Sequence, residues 1–265
     1  MWPQVFGIPT YIPIYAIGVI AHGLILKFRT RRFGQPGTSA AALGILYFVA
    51  MYPGARILSD IIHNRFSFES ATTLHYWTCI DCWSLWGGPL VYLAMAFAWV
   101  VVAKKNDADA RDFSIAALPH AMIIAKLACF ANGCCYGLPC TMPWSVTFPE
   151  GADAPMGVAL HPTQLYEIAV LLLVCYVFGA LNRERWRGTW LAWFLAIYGA
   201  GRLITEFWRP TEELRGIVGR LSTSQWLCGT ASLVAMIWLW ARSPRTGPQT
   251  ECDLDAPDDI DSSES

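Results

Sequence analysis

Three stretches of this chain carry side chains that could do chemistry. Lys126 to Gly137 reads KLACFANGCCYG, His161 to Glu167 reads HPTQLYE, and Tyr198 to Arg209 reads YGAGRLITEFWR. Each sets ionisable or amide groups inside, or at the edge of, a long apolar run. Such groups are expensive in a bilayer and by default mark a site. Tyr198, Arg202 and Glu206 recur at four-residue intervals, so a helix puts them on one face, with Arg209 close to the stripe. An Arg202–Glu206 ion pair would neutralise two stray charges, but an apolar pair would cost nothing, so the stripe reads as functional. His161, Gln164 and Glu167 recur at three-residue intervals and share a face of a helix opening at His161-Pro162, where the missing proline N–H is harmless. Tyr166 suits the membrane interface, whereas Glu167 falls inside the apolar run. Lys126 taken alone fits a lysine that snorkels to the interface. Asn132-Gly133 and Tyr136-Gly137 predict a turn with close backbone approach. The N–H groups of such a turn, beside a lysine and an arginine, fit a lipid phosphate.

The rest of the chain must position these stretches. Of 265 residues, 55% are hydrophobic and only 15% charged, against about 25% charged in an ordinary soluble domain. This is the composition of a polytopic membrane protein. The net charge of -1 comes with no basic cluster on a polar surface, so nothing points to nucleic acid. Seven apolar segments are readable, over Thr10–Lys27, Thr38–Tyr52, Ser84–Val102, Phe113–Phe130, Pro162–Leu181, Thr189–Phe207 and Gln225–Ala241. The expected fold is all-α with seven transmembrane helices. Basic groups follow the first segment (Lys27 to Arg32), the third (Lys104, Lys105, Arg111), the fifth (Arg183, Arg185, Arg187) and the seventh (Arg242, Arg245). Positive charge marks the cytoplasmic side, which places the N-terminus outside and the C-terminus inside. The loop from Ala131 to Leu160 has no lysine or arginine, as an external loop should. The first helix is expected to stay as an anchor, because Met1 to Ala21 has no basic n-region. Residues 1–242 form the expected membrane domain, and the acidic, serine-rich stretch 243–265 a disordered cytoplasmic tail.

Cys175, Cys228 and Cys252 stand apart, the first two as small apolar residues of helices. The other six, Cys79, Cys82, Cys129, Cys134, Cys135 and Cys140, fall on or near the external side. Disulfides or packing thiols are the leading reading there. The Cys79-x-x-Cys82 pair also leaves open redox chemistry or a metal.

HPTQLYE followed by YGAGRLITEFWRP resembles the bacterial phosphatidylglycerol–prolipoprotein diacylglyceryl transferases, where close versions of both occur in the same order. FANGCCYG resembles that family's signature loop in a cysteine-containing variant, and YPGARILSD around Arg56 an earlier Gly-Arg motif. The resemblance runs over most of the chain and is strongest from Lys126 to Pro210. It implies transfer of the diacylglyceryl group of phosphatidylglycerol to the lipobox cysteine of a pre-lipoprotein, with glycerol-1-phosphate leaving, in the bacterial plasma (inner) membrane. It implies no cofactor and no metal. Mapped onto this chain, Lys126 and Arg202 would hold the phosphate, Asn132 and Gly137 would shape the headgroup site, and Glu167 and Glu206 would orient the cations. Tyr198, Gln164, His161 and Tyr166 would complete the polar network. Three positions depart from the family: Trp86 stands where it has a histidine before Gly-Gly, Lys126 where it has arginine, and an asparagine near Cys129 is missing. His120, about two helical turns before Lys126, is a candidate substitute imidazole. The alternatives are a lipid-binding relative without catalysis and a membrane thiol–disulfide protein.

Overall fold

The computed structural model describes residues 4–5, 8–9, 11–62, 67, 87–103, 107–210, 217–218 and 221–243. Cys79, Cys82, Trp86, Lys104, Lys105, Cys252 and the tail from 244 onward lie outside the described residues. Eight α-helices dominate what is described: α1 (Tyr11–Phe33), α2 (Gly37–Ile62), α3 (Gly87–Val102), α4 (Ala108–Ile115), α5 (Leu118–Asn132), α6 (Thr163–Ala180), α7 (Trp190–Thr205) and α8 (Thr223–Arg242). The strands are short antiparallel pairs: β1 (Gln4–Val5) with β2 (Ile8–Pro9), β3 (Val146–Thr147) with β4 (Ala159–Leu160), and β5 (Ile217–Val218) with β6 (Leu221–Ser222).

A helix underlies each of the seven apolar segments, with two notable differences. α2 runs ten residues past Tyr52, to Ile62, and its last turns hold the Arg56 side chain on Asp60 at 3.2 Å. The fourth segment, expected as one helix, is broken at Ala116-Ala117 into α4 and α5. Pro119 sits in the first turn of α5, where it has no N–H to return to the helix before it. Two stretches, Ala108–Asn132 and Thr163–Ala180, are long and apolar enough to cross a membrane, and Gly37–Met51 and Gly88–Val102 are apolar but shorter. Ile20, Phe48, Phe97, Leu172 and Trp240 stand exposed on the outer faces, an apolar surface far beyond what a soluble monomer leaves uncovered.

The core lies between α1, α2, α3, α4, α5, α6 and α7. His22 stacks on Tyr47 at 4.1 Å between ring centroids, and Tyr92 closes edge-on at 5.3 Å from Tyr47, which pins α1, α2 and α3 together. At the basic end, Asp112 accepts the N–H groups of Gly188 (2.7 Å) and Trp190 (3.0 Å) at the start of α7, where a carboxylate meets the positive end of the helix dipole. Asp109 pairs with Arg183 at 2.7 Å and Arg187 at 2.6 Å.

α7 carries much of the candidate chemistry and is clamped on both sides. A Cβ on Gly199 would lie 2.8 Å from the Cys228 carbonyl of α8, and one on Gly201 would lie 2.4 Å from Val170 of α6. Ser232 of α8 also donates to the Ala196 carbonyl at 2.8 Å. Overpacking of this kind costs roughly 1–3 kcal/mol. Gly199→Val should therefore lower the unfolding temperature in detergent. Gly201→Ala should do so less, because Val170 is a side chain, and should recover when combined with Val170→Ala. Unchanged melting of Gly199→Val would contradict this packing.

Candidate active site

The loop between α5 and α6 begins where Gly133, with φ of +78°, ends α5 in the left-handed conformation that glycine adopts without strain. The chain then folds back over the last turn of α5. The Gly137 N–H donates to the His161 carbonyl at 2.9 Å, and the Leu138 N–H donates to the Trp208 carbonyl at 2.7 Å. A Cβ on Gly137 would lie 2.6 Å from both His161 and the Trp208 carbonyl, so only glycine lets the three backbones meet. From the first turn of α6, Thr163 Oγ1 donates to the Cys135 carbonyl and Gln164 Nε2 to the Cys134 carbonyl, both at 2.6 Å. The three stretches singled out in the sequence thus form one assembly.

Its centre is the buried carboxylate of Glu167 on α6. Oε2 takes Lys126 Nζ of α5 at 2.7 Å and the hydroxyl of Tyr198 of α7 at 2.9 Å. Oε1 lies 3.9 Å from Arg202 Nε and 4.0 Å from Arg209 Nη1. Arg202 also pairs with Glu206, and Arg209 Nη1 stands 3.9 Å from the same carboxylate. Ser222 donates to Glu206 Oε1 at 3.3 Å, and a capping box with Gln225 fixes Ser222 at the start of α8. Every side chain of this ion network is at least nine-tenths buried. Removing one partner from a buried ion pair costs about 3–5 kcal/mol, so the members hold one another in place.

The remaining expected residues sit around this network. His161 Nδ1 and the Tyr166 hydroxyl are 2.9 Å apart, and Trp144 Nε1 donates to the same hydroxyl at 2.8 Å. Trp208 lies 5.9 Å from the Tyr166 ring, completing an aromatic rim. Asn132 is committed to the loop: its Nδ2 donates to Asp153 at 2.8 Å and its carbonyl accepts the Asp153 N–H at 3.2 Å. Lys126 does not snorkel, because Glu167 offers it a partner in the interior. His120 lies near His22 and Arg29. Sequence reasoning left Arg209 at the margin and missed Ser222 and Thr163. The Ser222-Thr-Ser-Gln225 spacing of a capping box was the available signal for the first of these two.

The described cysteines Cys129, Cys134, Cys135, Cys140, Cys175 and Cys228 are all free thiols, the packing-thiol side of the expectation. The sulfurs of Cys129, Cys134 and Cys135 lie within 4.8 Å of one another. Hydrogen bonds from the Cys129 and Cys134 thiols, then the charges of Arg209 and Lys126, hold the Cys135 thiol well below its ordinary range. Contacts with the same thiol neighbours push Cys134 well above it. Among the described residues this trio is the one group with the donor set for a metal ion.

The fold and site together define an apolar helical bundle built around an ionised centre. Its family follows from comparison: the sequence profile of the prolipoprotein diacylglyceryl transferases matches residues 3–241, and the chain belongs to that family. It is 28% identical over 233 residues to the phosphatidylglycerol–prolipoprotein diacylglyceryl transferase of Clostridium tetani, covering 84% of this chain and 90% of that one. It is 34% identical over 234 residues to the protein named phosphatidylglycerol–prolipoprotein diacylglyceryl transferase 2 of Clostridium perfringens, covering 84% and 88%. It is 30% identical over 240 residues to the corresponding transferase of Cereibacter sphaeroides, covering 79% of each.

Two outcomes test the electrostatics. Glu167→Gln should destabilise the protein more than Lys126→Met, since Arg202 and Arg209 still border Glu167 when the lysine is gone. The double variant should show a coupling of about 0.5–3 kcal/mol, and strictly additive unfolding energies would contradict the Lys126–Glu167 pair. In reduced, chelator-treated protein, iodoacetamide should label Cys135 at a lower pH than Cys134, because the thiolate is the reactive form. Peptide mass spectrometry showing the same pH profile for both would contradict the assignment.

Proposed function

We propose that this chain transfers the diacylglyceryl group of phosphatidylglycerol to a pre-lipoprotein, as its relatives' names describe, with the lipobox cysteine as the acceptor. The convergence of Lys126, Arg202 and Arg209 on Glu167 and Glu206 carries the reading. Three cations gather with two carboxylates in an apolar surround, and a phosphodiester headgroup matches the cations. Arginine adds a planar fork suited to phosphate oxygens. Glu167 and Glu206 hold the cations in place before lipid arrives, and Ser222 and Tyr198 fix the two carboxylates. Gln164 and Thr163 hold the loop whose backbone closes the site, and Gly137 sets its approach. His161, Tyr166 and Trp208 form the rim where the acceptor peptide would enter.

In the reaction the acceptor sulfur attacks the glyceryl carbon next to the phosphate, and the C–O bond breaks. The electron pair goes to the phosphate oxygen, which takes up the thiol proton as glycerol-1-phosphate leaves. Cations already in position where that charge develops lower the barrier. The membrane reading completes the proposal. Residues 1–242 span the bacterial plasma membrane seven times, with the N-terminus outside, and 243–265 are a cytoplasmic tail. Both acyl chains then stay in lipid throughout.

The protein, reconstituted in phosphatidylglycerol-containing membranes with a lipobox peptide, should yield a peptide heavier by one diacylglyceryl group. Arg202→Ala should slow the transfer by about 10²–10³-fold, as for loss of one preorganised donor. Arg209→Lys should slow it less than Arg209→Ala. Phosphatidylglycerol bound without any adduct would overturn the transferase reading in favour of a lipid-binding relative. Redox cycling of the external cysteines in its place would favour the thiol–disulfide protein.

A further inference from the structure

Cys129, Cys134 and Cys135 are brought together by the fold, and the transfer chemistry derived above leaves them without a task. Cys129 lies in the last turn of α5. After Gly133 the backbone reverses, and the Cys134 N–H returns to the Cys129 carbonyl at 3.1 Å. Cys135 then adopts a φ of 63°, in a region that non-glycine residues enter at a cost and hold only when their surroundings fix them. Here they do: the carbonyls of Cys134 and Cys135 are tied down by Gln164 and Thr163 at 2.6 Å each. The outcome is three sulfurs within 4.8 Å of one another, a range that includes the roughly 3.8 Å separation that three thiolates take around a zinc ion with Zn–S near 2.3 Å.

We propose that Cys129, Cys134 and Cys135 form a zinc site whose open fourth position takes the thiol of the acceptor cysteine. The proposal rests on the transferase reading for its acceptor. Three protein ligands and one vacant position are the pattern of a catalytic zinc, whereas a purely structural zinc is closed by a fourth ligand. Thioether formation needs a thiolate, and a thiol that coordinates zinc is deprotonated outright. Arg209 lies against the Cys135 side chain and offsets the negative charge of three thiolates around a divalent ion. It also borders Glu167 and Glu206 in the ion network, so the acceptor sulfur would be held beside the cations proposed to bind the phosphate. The step balances. The thiol proton is released on coordination, the sulfur lone pair forms the C–S bond, and the C–O pair leaves on the phosphate, which ends with that proton or its equivalent from water.

The test uses the full-length protein in phosphatidylglycerol-containing membranes. Elemental analysis after reduction and dialysis should find one zinc per chain. Cys134→Ser should lose it, while Cys134→His should retain it and show that the fold survives. In protein loaded with cobalt(II), adding lipobox peptide should strengthen the sulfur-to-cobalt absorption, and a peptide with serine at the acceptor position should not. Removing zinc should slow transfer at pH 7 by roughly thirtyfold, the factor between a free thiol of pKa about 8.5 and a formed thiolate. No bound metal under zinc-replete purification, or a disulfide within the trio in its place, overturns the proposal. So does an absorption band indifferent to the peptide thiol. Full-rate transfer by metal-free protein overturns it and leaves the transferase standing. A peptide-dependent band without any diacylglyceryl adduct supports the site and removes the transferase reading.

Discussion

The site depends on one carboxylate. Glu167 is buried in the first half of a largely apolar helix, where an unpartnered carboxylate is costly. Its partners are a lysine from α5, a tyrosine and an arginine from α7, and a second arginine just beyond α7. The dependence is mutual. Lys126 is held in the interior by Glu167, and Arg202 and Arg209 by Glu167 together with Glu206, so three helices are bound into one arrangement by the cost of any alternative. Buried ionic groups of this kind serve stability poorly compared with packed hydrophobic side chains. Their value is in fixing geometry around a centre that must stay ionised.

Much of this could be read from the chain before folding. The four-residue spacing of Tyr198, Arg202 and Glu206 predicted a shared face, and the structure puts Tyr198 on Glu167 and Arg202 on Glu206. HPTQLYE predicted a helix start, and α6 starts there. Other features depend on contacts between distant residues and leave no local mark. Lys126 fitted a snorkelling lysine because its own neighbours in sequence are apolar, and its partner lies on another helix. His120 looked close to the site along the chain, yet its neighbours are His22 and Arg29. Breakage of the fourth segment was visible in principle at Pro119, but an unbroken hydropathy pattern outweighed a single residue. The cysteines were read for compartment and spacing. Their convergence depends on a left-handed residue at Cys135 that no periodicity announces.

Helix α7 shows how the scaffold serves the chemistry. Its stripe of polar side chains faces Glu167, and glycines between those residues let α6 and α8 approach closely. Small residues at a crossing are how helices gain packing where the surroundings are as apolar as the side chains themselves. The same turn that carries the charges therefore has little freedom to move. The Ser222 and Gln225 capping box extends this to the far side, since the start of α8 holds the Glu206 carboxylate that Arg202 needs.

The junction at Gly137 has another consequence. There the loop is stitched to the residue that follows β4 and to the turn that follows α7 by main-chain hydrogen bonds, through the carbonyls of His161 and Trp208. Those bonds are indifferent to side-chain identity at every position except the glycine itself. The frame of the site is thus separate from its furnishing. A side chain elsewhere in the loop can change and these main-chain bonds are still available. A chain built on such a junction can alter its chemistry one side chain at a time, provided that the single residue without a side chain is kept.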